Sequence, residues 1–414
     1  MIDYISRLPE TGPLFPRRVA VMGSTGSIGV NTLAVMTANP HRFRAVALAA
    51  GRNAALLAEQ AATWRPAHLA VLDDAARGDL LDRLEPLRRA GYSPEIHVGP
   101  EGYAALASFI EADVVVSAQV GAAGLAATYA AVKAGKTVAL ANKESLVLAG
   151  SLLRAEAALS GAVVLPVDSE HNAIFQCLTG HGLASGRGES RADGVFRLIL
   201  TASGGPFRGR TAEDVEHATP AMALAHPNWT MGAKITIDSA TMMNKGLEVI
   251  EAHHLYGLGL DAIGVLVHPQ SVVHSLVEFK DASLLAQAGP ADMRIAISHC
   301  LGWPERIENR VPFMDLTAVA ALTFEKPDVS VFRCLLLARE AASFGKGMPV
   351  VLNAANEVAV EAFLAERLPF GGIARLVEKT MDGYGSRLPG REPASLEEIM
   401  DLDVQARILA REHM

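Results

Sequence analysis

Along the first third of this chain, short unbroken apolar runs alternate with longer stretches in which apolar residues recur every three or four positions. That is the pattern of buried strands alternating with amphipathic helices. Arg18-Val-Ala-Val-Met22 is the first run, Gly23-Ser-Thr-Gly-Ser-Ile-Gly29 turns the chain, and 30–37 has helical spacing. The unit repeats, with strands expected at 43–50, 68–72, 113–117 and 136–140 and a helix at 54–64. Such alternation predicts a parallel, doubly wound α/β sheet of Rossmann-like type. Past Gly150 the pattern changes: 163–168 is extended, a helix starts near His171, and 195–202 is a strand running into Ser203-Gly-Gly-Pro206. Further strands are expected at 234–239, 264–269 and 271–279, which makes this part α+β. Beyond Ser330 the spacing is helical throughout, at 331–344, 348–367, 372–384 and 395–412, a C-terminal helical bundle. The expected organisation is a flexible arm over 1–16, a Rossmann-like domain over 17–165, an α+β domain over 166–303, a connector over 304–330 and a helical domain over 331–414.

Length and composition agree with this division. At 414 residues the chain exceeds what one core organises, and with half its residues hydrophobic it can bury a large interior. A net charge of -8, with no block of basic residues, argues against nucleic acid or an anionic membrane as partner and leaves a small molecule. Cys177, Cys300 and Cys334 form no CxxC pair, so neither a disulfide framework nor a zinc knuckle is expected. With no signal-peptide pattern and no long apolar run, the expectation is a cytoplasmic protein. The Gly- and Ser-rich stretch 180–194 reads as a surface insertion without chemistry.

The glycine turn carries the first candidate chemistry. Gly23-x-x-Gly26-x-x-Gly29 departs from GxGxxG spacing, but it lies between a strand and a helix, where backbone N–H groups can hold a pyrophosphate. Thr25, Gly26, Ser27 and Ile28 would line it; the plain alternative is a tight turn. At the end of the next strand, Gly51-Arg52-Asn53 stands where an NAD enzyme places an acid on the ribose. Arg52 suits a 2'-phosphate instead, favouring NADPH, unless it is merely solvated. Asn142-Lys143-Glu144 follows another strand and should face cofactor and substrate, or else form a helix cap with an exposed ion pair.

A second constellation is metal-like. Asp168 and Glu170 end an apolar strand, and at i, i+2 they leave the same face of an extended backbone, with Ser169 directed elsewhere. Asn244, Lys245 and Glu248 share a helix face from about Thr241, though surface helices often carry such a set. Oxygen-only ligands from Asp168, Glu170 and Glu248 suit Mg2+ or Mn2+ rather than zinc. Ser203-Gly204-Gly205 resembles an anion nest, to which Ser239, Asn244 and Lys245 would add donors; a plain glycine turn competes. His226-Pro-Asn-Trp229-Thr-Met231-Gly232 reads as a loop whose Trp229 and Met231 can close an apolar lid, with His226 orienting or protonating a substrate. The competing reading packs that loop on a core. Ser271 and His274 fall on a substrate wall or a subunit contact.

Through GSTGSIG, ALANKESLV, PVDSEHNAIFQ, TASGGPF, HPNWTMGAKITIDSATMMNKGLEVIEA, HPQSVVHSLVEF and VLNAANEVAVEAFL, the chain resembles the 1-deoxy-D-xylulose 5-phosphate reductoisomerases from Gly23 to its C-terminal part. The resemblance implies NADPH contacts from Thr25 to Ile28, Gly51 to Asn53, Asn142, Glu144 and Gly232. It implies Mg2+, Mn2+ or Co2+ at Asp168, Glu170 and Glu248. It implies contacts to a sugar phosphate from Lys143, Ser169, Glu170, Ser203, His226, Trp229, Met231, Ser239, Asn244, Lys245 and Glu248, with Lys143, Glu170, His226 and Glu248 catalytic. A homodimer is expected from it and from the apolar strands near 264–279. The run Met293-Arg-Ile-Ala-Ile-Ser-His299 departs from the family, which usually carries Thr-Pro there.

Two other readings compete. A semialdehyde dehydrogenase shares a similar glycine loop but needs a cysteine nucleophile beside a base. An NADP-binding sensor would bind cofactor without metal dependence or turnover.

Overall fold

The apolar runs become one parallel sheet in the computed structural model, which describes every residue except 9–12, 180, 182–190, 230, 386 and 389. Most of the 180–194 stretch therefore lies outside the described residues. The seven strands lie in the order Glu95–Val98, His68–Val71, Phe43–Ala49, Arg17–Met22, Val114–Ser117, Thr137–Leu140 and Val163–Pro166. The central strands are apolar at successive positions because helices cover both faces: Val19, Ala20, Val21, Val114 and Val115 are all fully buried. Strand Glu95–Val98 was not anticipated. As an edge strand with polar residues in a short run, it lacks the continuous apolar signature.

Glycine sets the geometry where the first strand turns into helix Ser27–Ala38. Gly23 has φ +90°, and a Cβ there would stand 2.5 Å from the Ala118 carbonyl oxygen. A Cβ at Gly29 would stand 2.3 Å from the Gly23 carbonyl oxygen, so only glycine lets the helix seat this closely. The helix starts at Gly26 without a side-chain cap, leaving its first N–H groups available to an anion.

A four-stranded sheet follows, in the order Ile263–Val267, Val195–Ala202, Val273–Phe279 and Leu284–Ala288, with its first pair parallel and the others antiparallel. The expected strand over 234–239 is instead part of helix Ala233–Ala240. Alternation of Ile235 and Ile237 with polar neighbours imitates period two. Tertiary packing overrides it: 236, 237, 238 and 240 are buried, the Thr236 hydroxyl donates to the Gly232 carbonyl at 2.8 Å, and Lys234 pairs with Asp238 one turn on. Met242, with φ +58°, separates this helix from Met243–Tyr256.

Helices Arg333–Phe344, Met348–Leu364, Phe370–Gly385 and Leu396–His413 make up the expected C-terminal helical part. Gly246 lets Met243–Tyr256 press against the first of them, since a Cβ at 246 would stand 2.5 Å from Ala338 Cβ. The opposite face of Met243–Tyr256 carries the site.

Residues 1–8 differ from the flexible arm expected over 1–16. Ile2, Tyr4, Ile5 and Leu8 are buried, Ile2–Asp3 pairs with Arg191–Ala192, and the Tyr4 hydroxyl donates to the Val164 carbonyl at 2.8 Å. The segment is too short to show periodicity. Its apolar residues are nevertheless held against both larger units.

Candidate active site

The carboxyl edge of the parallel sheet, the Ser203 turn and the two helices flanking Met242 enclose a cavity of about 450 Å³. That volume is in the range of small-molecule sites. On one wall lie Asp168, Glu170 and Glu248, each offering a carboxylate oxygen, with the three oxygens within 4.8 Å of one another.

Asp168 and Glu170 reach this wall by a route other than the extended backbone expected. Asp168 is the N-cap of helix Ser169–Leu178, and Glu170 lies in its first turn, donating its backbone N–H to Asp168 Oδ1 at 3.2 Å. Asp-Ser-Glu is itself a capping sequence, and the positive end of the helix dipole favours both carboxylates. Ser169 also lines the cavity, its hydroxyl donating to Glu170. Asn244, Lys245 and Glu248 share one helix face, as their spacing requires. The Asn244 amide donates to Glu248 Oε1 at 2.5 Å, and Lys245 pairs with Glu248.

Two ammonium groups answer the three carboxylates. Lys143 Nζ lies 2.7 Å from Asp168 Oδ2 and 3.0 Å from Glu248 Oε1, and donates to Asn244 Oδ1 at 2.8 Å. Lys245 Nζ lies 2.7 Å from Glu170 Oε1. Burial alone would lower the Lys143 pKa, but Asp168, Glu248 and Glu251 outweigh it and hold the ammonium well above its ordinary range. Asp168 is likewise opposed by burial, yet Lys143, His171 and Lys245 hold it below the usual carboxylate range. Glu170 moves upward, through burial first and then repulsion from Glu248. Three carboxylates against two ammoniums leave one uncompensated negative charge in a poorly solvated pocket. Hard oxygen donors with excess negative charge fit a divalent cation of the Mg2+ or Mn2+ kind.

At the Ser203 turn, glycine is obligatory twice. Gly204 and Gly205 have φ +84° and +67°, and a Cβ on Gly205 would stand 2.9 Å from the Ser239 carbonyl oxygen. Close approach brings Ser203 and Ser239 to the same cavity. Lys245 and Asn244, expected among the donors of that nest, are engaged with the carboxylates instead.

His226 Nε2 lies 2.9 Å from Ser203 Oγ, while its Nδ1 accepts the backbone N–H groups of Asn228 and Trp229 at 3.2 and 3.0 Å. An accepting Nδ1 places the proton on Nε2, so the ring donates to Ser203. Trp229 and Met231 line the cavity half-exposed, with Trp229 6.2 Å from the His274 ring, and Ser271 and His274 line the same space. Burial lowers the His226 pKa from 6.5. The two loop bonds are therefore complete above the ordinary imidazole range and are lost as pH falls toward the lowered value. Trp229 emission is expected to change in a transition below pH ~6.5 that His226→Gln abolishes; the same transition in that variant would uncouple the loop from the ring.

The residues expected at a cofactor separate into three places. Gly26, Ser27, Ile28, Glu144 and Gly232 line the cavity. Thr25 lies in the glycine loop, and Gly51, Arg52 and Asn53 are exposed at the end of the neighbouring strand, outside the cavity wall. Arg52 pairs there with Asp73 at 2.8 Å, and Asn53 caps helix Ala54–Trp64. Asn142 is buried and fully engaged: it caps helix Lys143–Ser160, and its amide donates to the Gln119 and Gly121 carbonyls at 2.7 and 3.0 Å. Sequence reasoning missed Lys234, which lines the cavity and pairs with Glu144 at 2.7 Å and Asp238 at 2.9 Å. The i, i+4 spacing to Asp238 was the available signal, hidden by reading 234–239 as a strand. His171 and Glu251, buried 2.9 Å apart behind the carboxylates, carried no comparable pattern.

No cysteine lines the cavity among the described residues. All three are buried, and burial raises Cys177 to about 11 and Cys334 to about 12. The thiol nucleophile of a semialdehyde dehydrogenase has no counterpart here. The altered run at 293–299 folds into helix Met293–Gly302, capped by Asp292, with Met293 on the cavity wall.

A glycine loop and a hard-cation carboxylate set opening into one cavity define a dinucleotide-dependent, metal-assisted oxidoreductase. Family models for 1-deoxy-D-xylulose 5-phosphate reductoisomerase match residues 19–150, for its C-terminal domain 164–256, and for a further DXP reductoisomerase C-terminal domain 288–409. A reductoisomerase of this name from Nitratidesulfovibrio vulgaris strain DP4 is 58% identical over 409 residues, covering 98% of this chain and 96% of the relative. One from Lawsonia intracellularis is 50% identical, covering 98% of each. Among solved structures, the Zymomonas mobilis enzyme in complex with NADPH aligns with a TM-score of 0.86 at 45% identity, covering 96% of this chain and 98% of that one. A DOX-P reductoisomerase with NADPH, fosmidomycin and magnesium aligns at 0.87 and 43% identity, with the same coverage. The chain belongs to the 1-deoxy-D-xylulose 5-phosphate reductoisomerase family.

Proposed function

We propose that this cavity rearranges 1-deoxy-D-xylulose 5-phosphate to a branched aldehyde phosphate and reduces it with NADPH and a proton to 2-C-methyl-D-erythritol 4-phosphate, an isoprenoid precursor. The observation that carries this reading is the shared cavity: Gly26 to Ile28 on one wall, Asp168, Glu170 and Glu248 on the other. A divalent cation held by those carboxylates, Mg2+ or Mn2+, would supply Lewis acidity toward the vicinal oxygens of the ketose, and NADPH the hydride.

The chain's own groups account for the rest. Lys143, kept charged by Asp168 and Glu248, stabilises negative charge developing on a substrate oxygen and is a poor base. Ser203 accepts from His226 and from the Gly205 N–H at 3.1 Å, which frees its own hydrogen for a phosphate oxygen. Ser239 faces the same space. Phosphate held there supplies remote binding energy to draw Trp229 and Met231 over the reacting carbons and expel water. At the cofactor, Arg52 takes the 2'-phosphate, the Gly26 helix start takes the pyrophosphate, and Glu144 and Gly232 border the nicotinamide end.

Incubation with the substrate, NADPH and Mg2+ followed by NMR of the phosphate ester is expected to yield the branched tetritol phosphate. Recovery of unrearranged ketose, or of a straight-chain alditol phosphate, would contradict the reading.

The same reading extends to assembly and place. Ile263–Val267 and Leu284–Ala288 are the two edges of the four-stranded sheet, and Leu284 and Leu285 are exposed on the second, which supports a homodimer formed through this sheet. Buried unpaired thiols and a need for NADPH suit the cytoplasm. Among the described residues no helix is long and apolar enough to cross a membrane.

A further inference from the structure

We propose that His68, Glu95 and His97 form a second metal site, of zinc type, on the outer edge of the parallel sheet. Glu95 and His97 lie at i, i+2 on the edge strand, and His68 stands opposite Glu95 in the parallel register, so the three side chains share one face. His68 Nδ1 and His97 Nε2 are 3.3 Å apart, with Glu95 Oε2 3.4 Å from the first and Glu95 Oε1 3.5 Å from the second. Bonds of about 2.0–2.1 Å at tetrahedral angles place ligand atoms about 3.3 Å from one another. The three side chains therefore already bring two nitrogens and a carboxylate to the spacing of zinc ligands, with Glu95 offering a different oxygen to each ring.

The alternative is a pair of neutral imidazoles sharing an N–H. The two N–H groups of a neutral pair satisfy at most two of the three contacts and leave the ring nitrogens facing each other unbridged or one oxygen unanswered, whereas a cation between the three side chains satisfies all of them. The surroundings hold the rings in place. Phe109 backs His68 at 4.2 Å between centroids, and Gly102 leaves room for His97, because a Cβ at 102 would stand 2.9 Å from His97 Cβ. The Glu95 side chain is 65% exposed, which gives a cation access. Imidazole nitrogens select zinc, nickel or copper over magnesium, so this site and the oxygen-only cluster at Glu248 choose different cations. Bound there, the ion ties the edge strand Glu95–Val98 to its neighbour and stabilises the cofactor sheet from outside.

The test uses the full chain, freed of metal by chelation and held in excess Mg2+, titrated with Zn2+ against a chromophoric chelator. Wild type is expected to take up one more equivalent than His97→Ala, and Glu95→Gln is expected to hold that equivalent at least ~10–100-fold more weakly. Co2+ should give wild type alone the intense visible absorption of a tetrahedral centre. Thermal midpoints should rise with Zn2+ in wild type and not in His97→Ala, with NADPH oxidation in Mg2+ unchanged in both variants. Should His97→Ala fold poorly, Glu95→Gln, at an exposed position, gives the same comparison. Equal Zn2+ uptake by wild type and variants, or no difference in Co2+ absorption, would overturn the site and leave a hydrogen-bonded histidine pair.

Discussion

Glu248→Gln is expected to lower kcat/KM by about 10³-fold or more while leaving NADPH affinity unchanged. The Glu248 side chain is 1% exposed and is shared by Lys143, Asn244 and Lys245. Glutamine preserves its shape, but its amide must present an N–H₂ to groups that are themselves donors. The substitution also cancels the one negative charge by which the cluster exceeds its ammoniums, and with it the main reason for a divalent cation to enter. Metal affinity should fall with activity. The Gly26 loop stands on another strand and keeps its geometry, so cofactor titration by fluorescence separates the two effects. Full activity in this variant would remove Glu248 from the chemistry.

Lys143→Met should have an equally large effect of a different kind. Its removal leaves Asp168 and Glu248, with side chains 9% and 1% exposed, short of a buried cation. Breaking a buried pair from one side costs about 3–5 kcal/mol. The chelated variant is expected to be destabilised by about that amount in denaturant unfolding. Added Mg2+ should recover much of the loss, because the metal answers the same carboxylates. Activity should stay at least ~10²-fold down in Mg2+, since no ammonium remains to stabilise charge on the substrate. Stability insensitive to Mg2+ would contradict the charge balance drawn for this pocket.

What the sequence made legible depended on how local the cause was. The tightest contact of the glycine loop, Gly29 against Gly23, is local, and although Gly23 also approaches the distant Ala118, strand, turn and helix could be read in order. Glu248 could be placed beside Asn244 and Lys245 because helical spacing alone puts them on one face. Longer-range causes stayed hidden. Whether 234–239 is strand or helix depends on what buries Thr236 and Ile237, and missing the helix concealed Lys234. Asp168 and Glu170 were paired for the wrong backbone, because the capping role of Asp168 outweighed the strand before it. Lys143 shows the limit most clearly. It stands 105 residues from Glu248 in sequence and touches it in space, a contact that composition and periodicity cannot signal.

The central claim is that one cavity joins a metal-dependent rearrangement to NADPH oxidation. It is tested most directly by following absorbance at about 340 nm as purified protein meets 1-deoxy-D-xylulose 5-phosphate and NADPH, with Mg2+ and then with excess chelator. Oxidation that needs both the sugar phosphate and the metal, stops on chelation and returns with Mg2+ or Mn2+ is the predicted result. NADPH that binds but is not oxidised under any divalent metal would contradict the account and favour a cofactor-binding sensor.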